Sequence, residues 1–270
     1  MQNKVVLPQW LDNLIYKQLG AKYQRSNADM TVIDWDKNDV LNYLGTYFPR
    51  SYAESYCIFS EFFKINQELL AYKEEISIFD FGCGTGGEII GLLTAISQSY
   101  PKLKKVKIVA IDGNAHALNQ YEKVLQEFQK RVCLQLENLS AHVCIDDFYD
   151  LSILSNVIKR KFDIIISFKA ICEFVTKQQF EKENAYKHIA KFLMPKLTPS
   201  GIVLFVDVTT YNNTSQEWLP KMMDKGLKAA NCSITYRNEG YNQPFFVSHS
   251  HRGNDESKVA WRIITIKDVA

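Results

Sequence analysis

The chain has 270 residues, of which 46% are hydrophobic and only 12 are glycine and 7 proline, so it can bury a large core and is not a collagen-like or linker-dominated protein. Its 32 basic and 30 acidic residues leave a net charge of +2, far from the strongly basic balance of many nucleic-acid-binding domains. No apolar run reaches the roughly 18 to 20 residues of a membrane span, and the apolar start is interrupted at Pro8, too early for a signal peptide, so we expect a cytoplasmic protein without a membrane partner.

The first 75 residues have the pattern of helices without strands. Residues 36–47 repeat apolar side chains at helical spacing, Pro49 interrupts that pattern, and Ser51 and Glu54 have the Ser-x-x-Glu spacing of a capping box that opens a second helix. No linker rich in glycine, serine or proline follows. We therefore predict a helical cap or lid over residues 1–75 and one domain over residues 76–270.

From residue 76 onward, short aliphatic runs alternate with amphipathic segments. This alternation predicts an α/β fold of the Rossmann type, with helices on both faces of a mostly parallel sheet of about seven strands. Two runs near the end have no helix between them, which predicts that the last strand is antiparallel. The predicted strands are 76–81, 106–112, 141–145, 162–167, 202–207, 233–237 and 259–266, and the predicted helices are 88–96, 114 to as far as 136, 177–194 and 215–230.

Five of the 12 glycines lie within ten positions, between the first of these strands and its helix. Glycine lets the backbone turn tightly and lets a ligand approach main-chain N–H groups. Gly82, Gly84 and Gly87 match the GxGxxG fingerprint of dinucleotide-binding proteins, and Asp112 ends the next strand, where a carboxylate can accept ribose hydroxyls. These residues predict a nucleoside cofactor and leave an NAD-type oxidoreductase open.

The same loop also matches a second pattern. Asp80, Gly82, Gly84 and Gly86 resemble the Asp/Glu-x-Gly-x-Gly-x-Gly loop of class I S-adenosylmethionine (SAM) methyltransferases, whose seven-stranded sheet also ends in an antiparallel strand. The resemblance implies that SAM is the cofactor and that Asp80 orients its ammonium group. It also implies further cofactor contacts: Asp112 and Gly113 at the ribose, Asp146 or Asp147 at the adenine amino group, Phe148 against the adenine ring, and Ser167 beside the cofactor. A solvated acidic turn is the alternative interpretation of the two neighbouring aspartates.

Methyl transfer needs an aligned acceptor and, for some acceptors, a base. The loop after the fourth strand offers Glu173 as base, Lys169 as partner of an anionic acceptor group and Phe168 as an acceptor contact, although both charged residues also suit a solvated helix start. His249 is a further candidate base. No Asn/Asp-Pro-Pro-Tyr signature is present, and no two of the six cysteines lie closer than eleven residues, so we expect no metal site.

Aromatic residues surround one arginine in the predicted cap. We predict that Arg50 holds the carboxylate of SAM bidentately and that Tyr47 and Tyr52 contact the acceptor, whereas core packing is the alternative for the two tyrosines. The segment 47–56 resembles the beginning of the methyltransferase-like ribosomal small-subunit assembly family, a resemblance that covers residues 40–175. That family carries a metal-binding cysteine cluster that this chain lacks.

Together these patterns and the resemblance to class I methyltransferases predict a SAM-dependent methyltransferase that modifies an oxygen or nitrogen of a small-molecule or peptide acceptor. The alternative is an RNA- or ribosome-associated factor that binds SAM without turnover.

Overall fold

A computed structural model describes residues 2–24, 35–178, 182–238 and 241–266, and nine of its strands form one sheet. The strands are β1 (Lys4–Val6), β2 (Glu75–Phe81), β3 (Lys105–Asp112), β4 (Gln135–His142), β5 (Phe162–Phe168), β6 (Leu197–Asp207), β7 (Tyr211–Asn212), β8 (Glu217–Trp218), β9 (Ser233–Arg237), β10 (Gln243–His249) and β11 (Arg252–Thr265). The order in the sheet is β1-β10-β11-β6-β5-β2-β3-β4, β9 pairs with β11, and β7 and β8 form a separate ribbon.

Eight α-helices lie in the described chain. They are α1 (Gln9–Asp12), α2 (Lys37–Thr46), α3 (Phe48–Ile65), α4 (Gly87–Ser99), α5 (Ala115–Gln129), α6 (Ile171–Gln178), α7 (Ala185–Leu193) and α8 (Leu219–Ala229), and a π-helical turn, Asn13–Gln18, follows α1.

The predicted α/β class and the antiparallel last strand are confirmed, whereas the predicted number of seven strands is wrong. β1 and β10 are the additional strands, and they pair with each other in parallel although they come from opposite ends of the chain. β4 starts at residue 135 rather than 141, because α5 ends at Gln129. Most of its side chains are at least partly exposed at the edge of the sheet, so β4 lacks the apolar run that marks an inner strand.

The chain divides into two compact units, each built from three segments. Unit 1 lies within Met1–Ile76, Cys83–His142 and Pro244–Ser257, and unit 2 lies within Ser77–Gly82, Val143–Gln243 and Lys258–Ala270. The predicted boundary between residues 75 and 76 stays a prediction.

In unit 1, two glycines of the cluster allow α3 and α4 to pack closely. A Cβ on Gly87 would lie 2.5 Å from the carbonyl oxygen of Phe48, and one on Gly91 would lie 2.5 Å from that of Tyr52. Neither glycine has a positive φ. Their role is therefore helix packing, which separates them from the three glycines of the preceding loop.

The starts of the N-terminal helices differ from the prediction. The capping box is formed by Asp36 and Asp39 at the start of α2. Pro49 lies in the first turn of α3, where a missing N–H has no cost, so it opens this helix instead of interrupting one. Ser51 and Glu54 consequently lie inside α3 and are buried, and the predicted capping box at these residues is wrong.

In unit 2, β5 is buried at all seven positions, as its uninterrupted apolar run predicts. It pairs in parallel with β2 and β6, and β11 pairs antiparallel with β6 in the register Trp261↔Val206. The predicted helix 177–194 is replaced by α6 and α7, and its residues 179–181 lie outside the described part of the chain. The predicted helix 215–230 begins at Leu219, after the β7–β8 ribbon.

Candidate functional site

The glycine loop joins β2 to α4. Gly82, Gly84 and Gly86 have φ angles of +76°, +48° and +85°. Gly86 is the left-handed N-cap of α4, and its N–H donates to the carbonyl oxygen of Cys83 at 2.8 Å. Side-chain-bearing residues rarely adopt this conformation, so the three glycines give the loop its shape.

Asp112 ends β3 and is tied to this loop within unit 1. Its Oδ2 accepts the N–H of Gly84 at 2.7 Å, and its Oδ1 accepts the N–H of Asn114 at 2.8 Å. Burial raises the pKa of the Asp112 carboxyl, and the two backbone N–H groups oppose that rise. Gly113 accepts a hydrogen bond from Nε2 of His142 at 2.9 Å. The structure thus brings Gly84, Asp112 and Gly113 together.

The groups around the loop fit a nucleoside cofactor. Each carboxylate oxygen of Asp112 has lone pairs beyond the one that its N–H partner uses. Thr85 is 1% exposed, and its Oγ1 has no hydrogen-bond partner among the described residues. A Cβ on Gly84 would lie 3.4 Å from the ring of Tyr43, so this ring borders the loop. Hydroxyl, carboxylate and ring are suitable partners for a ribose and a base.

Aromatic side chains of the N-terminal segment continue from Tyr43. Its ring centroid lies 5.0 Å from that of Trp35 and 5.0 Å from that of Tyr47. Nδ2 of Asn114, the N-cap residue of α5, donates to the carbonyl oxygen of Trp35 at 3.0 Å. That Tyr47 contacts an acceptor stays a prediction. Tyr52 is 2% exposed and burial raises its pKa to about 12, which suits a packing role better than acceptor contact.

Arg50 and His249 meet at a carboxylate that the sequence patterns did not single out. Nε and Nη2 of Arg50 donate to Asp255 at 2.8 Å each, and Tyr23 donates to the same carboxylate at 3.1 Å. The His249 side chain is fully buried, with Nε2 3.7 Å from Asp255 Oδ2 and Nδ1 2.9 Å from the hydroxyl of Tyr16. Burial alone would raise the pKa of Asp255, but His249 and Arg50 hold it well below its usual range.

These contacts argue against the cofactor role predicted for Arg50 and the base role predicted for His249. The guanidinium fork assigned to the cofactor carboxylate is occupied by Asp255, and the imidazole assigned to proton transfer lies between the hydroxyl of Tyr16 and the carboxylate of Asp255. We therefore assign Arg50 and His249 to structure and leave both out of the functional proposal below.

In unit 2, the acidic end of β2 lies beside β5. Asp80 is fully buried and pairs in register with Ile166, the residue before Ser167. The Oγ of Ser167 is buried without a hydrogen-bond partner among the described residues. Phe168 is 4% exposed. Its predicted contact with the acceptor stays a prediction.

The predicted acidic turn lies beyond the end of its strand. β4 ends at His142, four residues before Asp146, which is exposed. Asp147 accepts the N–H of Tyr149 at 2.8 Å and pairs with Lys182 at 2.7 Å; Lys182 is the main cause of its lowered pKa. Phe148 is buried against Phe174, with a centroid distance of 4.9 Å. The adenine contacts predicted for residues 146–148 stay predictions.

The loop after β5 has a left-handed residue that is not glycine. Lys169 has a φ of +55°, and its N–H donates to the carbonyl oxygen of Val206 at 2.7 Å. A Cβ on Gly82 would lie 2.5 Å from Cβ of Ala170, so these two residues of unit 2 approach each other closely. Glu173 lies in the first turn of α6, and both Glu173 and Lys169 are half-buried.

Asp207 is a further buried acid that the sequence patterns did not single out. It ends β6 directly after an aliphatic run, a position like that of Asp80 near the end of β2 and of Asp112 at the end of β3. Ligands bind at the carboxyl ends of the strands in such sheets, so the position of Asp207 at a strand end could have identified it as a candidate site residue from the sequence. Asp255 has no comparable signal, since its partner Arg50 is 205 residues away.

The described residues contain neither a cluster of metal ligands nor a helix suited to crossing a membrane. No group of three or more histidine, cysteine, aspartate or glutamate side chains there could hold a metal ion. None of the helices described combines the length and the apolarity that crossing a membrane requires.

Comparison with known proteins identifies the fold and the family. The fold is similar to that of magnesium protoporphyrin IX methyltransferase from Synechocystis PCC 6803, with a TM-score of 0.50, 11% identity and coverage of 94% of this chain and 89% of that one. It is equally similar to a putative class I SAM-dependent methyltransferase from Listeria monocytogenes, with a TM-score of 0.50, 14% identity and coverage of 89% and 71%. A putative RNA methyltransferase from Pyrococcus horikoshii aligns with a TM-score of 0.49, 12% identity and coverage of 98% and 100%.

The amino-acid sequence matches none of the curated proteins with which it was compared. The profile of the methyltransferase domain family matches residues 72–257, which is more than half of the chain and contains the glycine loop, Asp112 and the loop after β5. The chain therefore belongs to the class I SAM-dependent methyltransferases.

Proposed function

We propose that this methyltransferase modifies an oxygen or nitrogen of a small-molecule or peptide acceptor. The observation that carries the proposal is the pair of half-buried charged side chains, Lys169 and Glu173, on a tightly held loop at the carboxyl end of β5. An acid and a base in this position suit a compact polar acceptor. The near-balanced net charge of +2 supports the same conclusion, because proteins that bind nucleic acids usually present an excess of lysine and arginine to the phosphates.

Unit 1 contributes the residues that hold the nucleoside part of the cofactor. When bound, SAM supplies an electrophilic methyl group on a sulfonium centre. The free lone pairs of Asp112 accept the ribose hydroxyls, and Thr85 Oγ1 is available as a further hydrogen-bond partner. The family resemblance further implies that Asp80 orients the cofactor ammonium and that Ser167 lies beside the cofactor.

The acceptor side of the proposal assigns two roles. Glu173 accepts the proton that an alcohol or ammonium acceptor must lose, and Lys169 pairs with an anionic group of the acceptor and fixes its orientation. Methyl transfer is an in-line displacement, so Lys169 also aligns the acceptor atom with the methyl carbon.

An RNA acceptor is the second candidate, and one surface of unit 2 favours it. Trp218 and Tyr211 are 48% and 39% exposed and meet edge-on at a centroid distance of 5.4 Å. Lys221 lies 5.8 Å above the ring of Tyr241, which is 45% exposed. Exposed rings beside lysines are the groups on which unpaired bases stack.

Transfer of a tritiated methyl group from SAM to fractionated cell extract separates the two candidates. Label in the small-molecule or peptide fraction that is lost in Glu173→Gln, but kept in Trp218→Ala, supports our proposal. Label in RNA that Trp218→Ala reduces at least tenfold would replace it with the RNA candidate. Label in neither fraction, with intact binding of S-adenosylhomocysteine, would favour a factor that binds the cofactor without turnover.

A further inference from the structure

Helix α6 begins without a local capping side chain. The residues before it are Lys169 and Ala170, whereas serine, threonine, aspartate or asparagine usually accepts the first N–H groups of a helix. The N–H of Cys172, in the first turn, donates instead to Oδ2 of Asp207 at 3.0 Å. A carboxylate 35 residues later in the chain thus caps this helix.

Asp207 is held firmly in that position. The hydroxyl of Tyr186 donates to the same Oδ2 at 2.8 Å, and the N–H of Val208 donates to Oδ1 at 3.0 Å. The residue is 1% exposed, and the three groups that donate hydrogen bonds to its carboxylate carry no positive charge. A buried carboxylate with three donors and no cation is costly to keep ionised, and a neutral side chain would suffice if packing were its only role.

The segment that Asp207 caps contains both residues proposed to meet the acceptor. Lys169 precedes α6 in a left-handed conformation that lysine rarely adopts, and its carbonyl oxygen accepts a hydrogen bond from Sγ of Cys172 at 3.2 Å. Glu173 follows in the same turn. Such strain persists only where neighbouring groups fix the backbone, and here they do so through Cys172 and Asp207.

We propose that Asp207 is a positioning residue, whose carboxylate holds the first turn of α6 so that Lys169 and Glu173 are presented to the methyl acceptor. The orientation of this turn follows from the geometry alone, whereas its importance for catalysis rests on the function proposed above.

The protonation of Asp207 provides a readout that packing alone would not give. Burial raises its pKa to about 6. The groups facing it are Cys172 of α6 and Tyr186 of α7, with Lys169 and Glu173 acting electrostatically on Cys172; β11 contributes the non-titrating Ala260. A protonated carboxyl group has lost its charge and part of its acceptor capacity, so the cap weakens as the pH falls through about 6.

The test compares Asp207→Asn with Asp163→Asn. Asp163 is a matched control, because it is also a buried carboxylate of unit 2 that accepts three hydrogen bonds, but it lies at the amino end of β5. Three quantities are measured from pH 5 to 8: protection of residues 168–175 against hydrogen exchange, affinity for S-adenosylhomocysteine, and methyl transfer to the active extract fraction.

We expect Asp207→Asn to lower both protection and transfer at least tenfold and to abolish their fall near pH 6, with affinity changed less than threefold. Asp163→Asn should retain the wild-type profile. Unchanged protection in Asp207→Asn, or equal losses in both variants, would overturn the proposal. If Asp207→Asn does not fold, Tyr186→Phe removes one hydrogen-bond donor to Asp207 and should shift the pH midpoint at which the protection of residues 168–175 falls. An unshifted midpoint would contradict the proposal. If wild-type protein labels no acceptor but protection depends on Asp207, the proposed function fails and the positioning role stands.

Discussion

The buried pair of Arg50 and Asp255 allows a stringent test of the structure. The two hydrogen bonds are 2.8 Å each, and the side chains are 9% and 0% exposed. Arg50→Met leaves the carboxylate buried with Tyr23 at 3.1 Å as a hydrogen-bond donor, His249 at 3.7 Å, and the partly exposed Arg252 as its remaining arginine partner at 3.9 Å. Removing one partner of such a pair costs about 3–5 kcal/mol, so we expect a loss of this size in the free energy of unfolding at pH 7.

Urea unfolding measures this loss, and Lys104→Ala is the control. Lys104 pairs with Glu74 at the same 2.8 Å, but these side chains are 71% and 74% exposed, so the expected loss stays below about 1 kcal/mol. The sign of the pH dependence is also fixed. The folded-state pKa of Asp255 is depressed, so the pair stabilises the wild type above the unfolded pKa and this stabilisation is lost as the pH falls below it. In the wild type this contribution should therefore be unchanged between pH 7 and pH 4 and be lost only as the pH falls below about 3.8 toward the depressed folded-state pKa.

A second readout decides between the structural and the cofactor role of Arg50. We expect Arg50→Met to bind SAM and 5′-methylthioadenosine with losses of similar size, because the arginine is engaged with Asp255. A loss of stability no larger than that of Lys104→Ala, combined with a tenfold selective loss of SAM affinity, would refute this reasoning and restore the carboxylate-binding role.

Three further outcomes are expected. Gly86→Ala should lower the free energy of unfolding by at least about 1 kcal/mol and weaken S-adenosylhomocysteine binding in calorimetry, because Gly86 has a φ of +85° and a Cβ there would collide with the ring of Tyr121. Gly253→Ala is the control: it has open space around its Cβ and should change neither quantity. Asp112→Ala should weaken SAM and S-adenosylhomocysteine by similar factors, since both contain the ribose, and a selective effect would contradict the assignment. The pKa of Asp207 is raised from 3.8 to about 6, so between these two pH values the folded state binds a proton that the unfolded state has lost. The free energy of unfolding of the wild type should therefore fall by about 3 kcal/mol from pH 4 to pH 7 relative to that of Asp207→Asn, measured by urea titration. A difference between the two proteins that does not depend on pH would be inconsistent with this.

The parts of the fold that local chemistry encodes could be predicted from the sequence. β5 is an unbroken apolar run, Asn114 caps α5 directly after β3, and the glycines at 82–86 indicate the turn between strand and helix. In each case the signal lies within a few residues of its effect.

The features that were missed depend on distant partners. β1 has three residues, and its pairing with β10 leaves no pattern in its own sequence. Arg50 carries the chemistry of a carboxylate ligand, but which carboxylate it meets is decided by the fold. Asp207 replaces an N-cap that the sequence before α6 lacks. The candidate site was therefore predictable at the glycine loop and not in the network that supports its neighbours.

The segmented composition of unit 1 constrains how this protein is made. Its first segment supplies β1 and Arg50, and their partners β10 and Asp255 lie in the last segment, at Pro244–Ser257. During synthesis, β1 and Arg50 remain without these partners until residues 244–257 have left the ribosome. Contacts of such large sequence separation slow folding, and a truncated chain that starts near residue 76 would lack Arg50 and Tyr23, two of the partners of Asp255. The described residues of Met1–Ile76 thus form unit 1 only together with Pro244–Ser257, the last of its three segments to be synthesised.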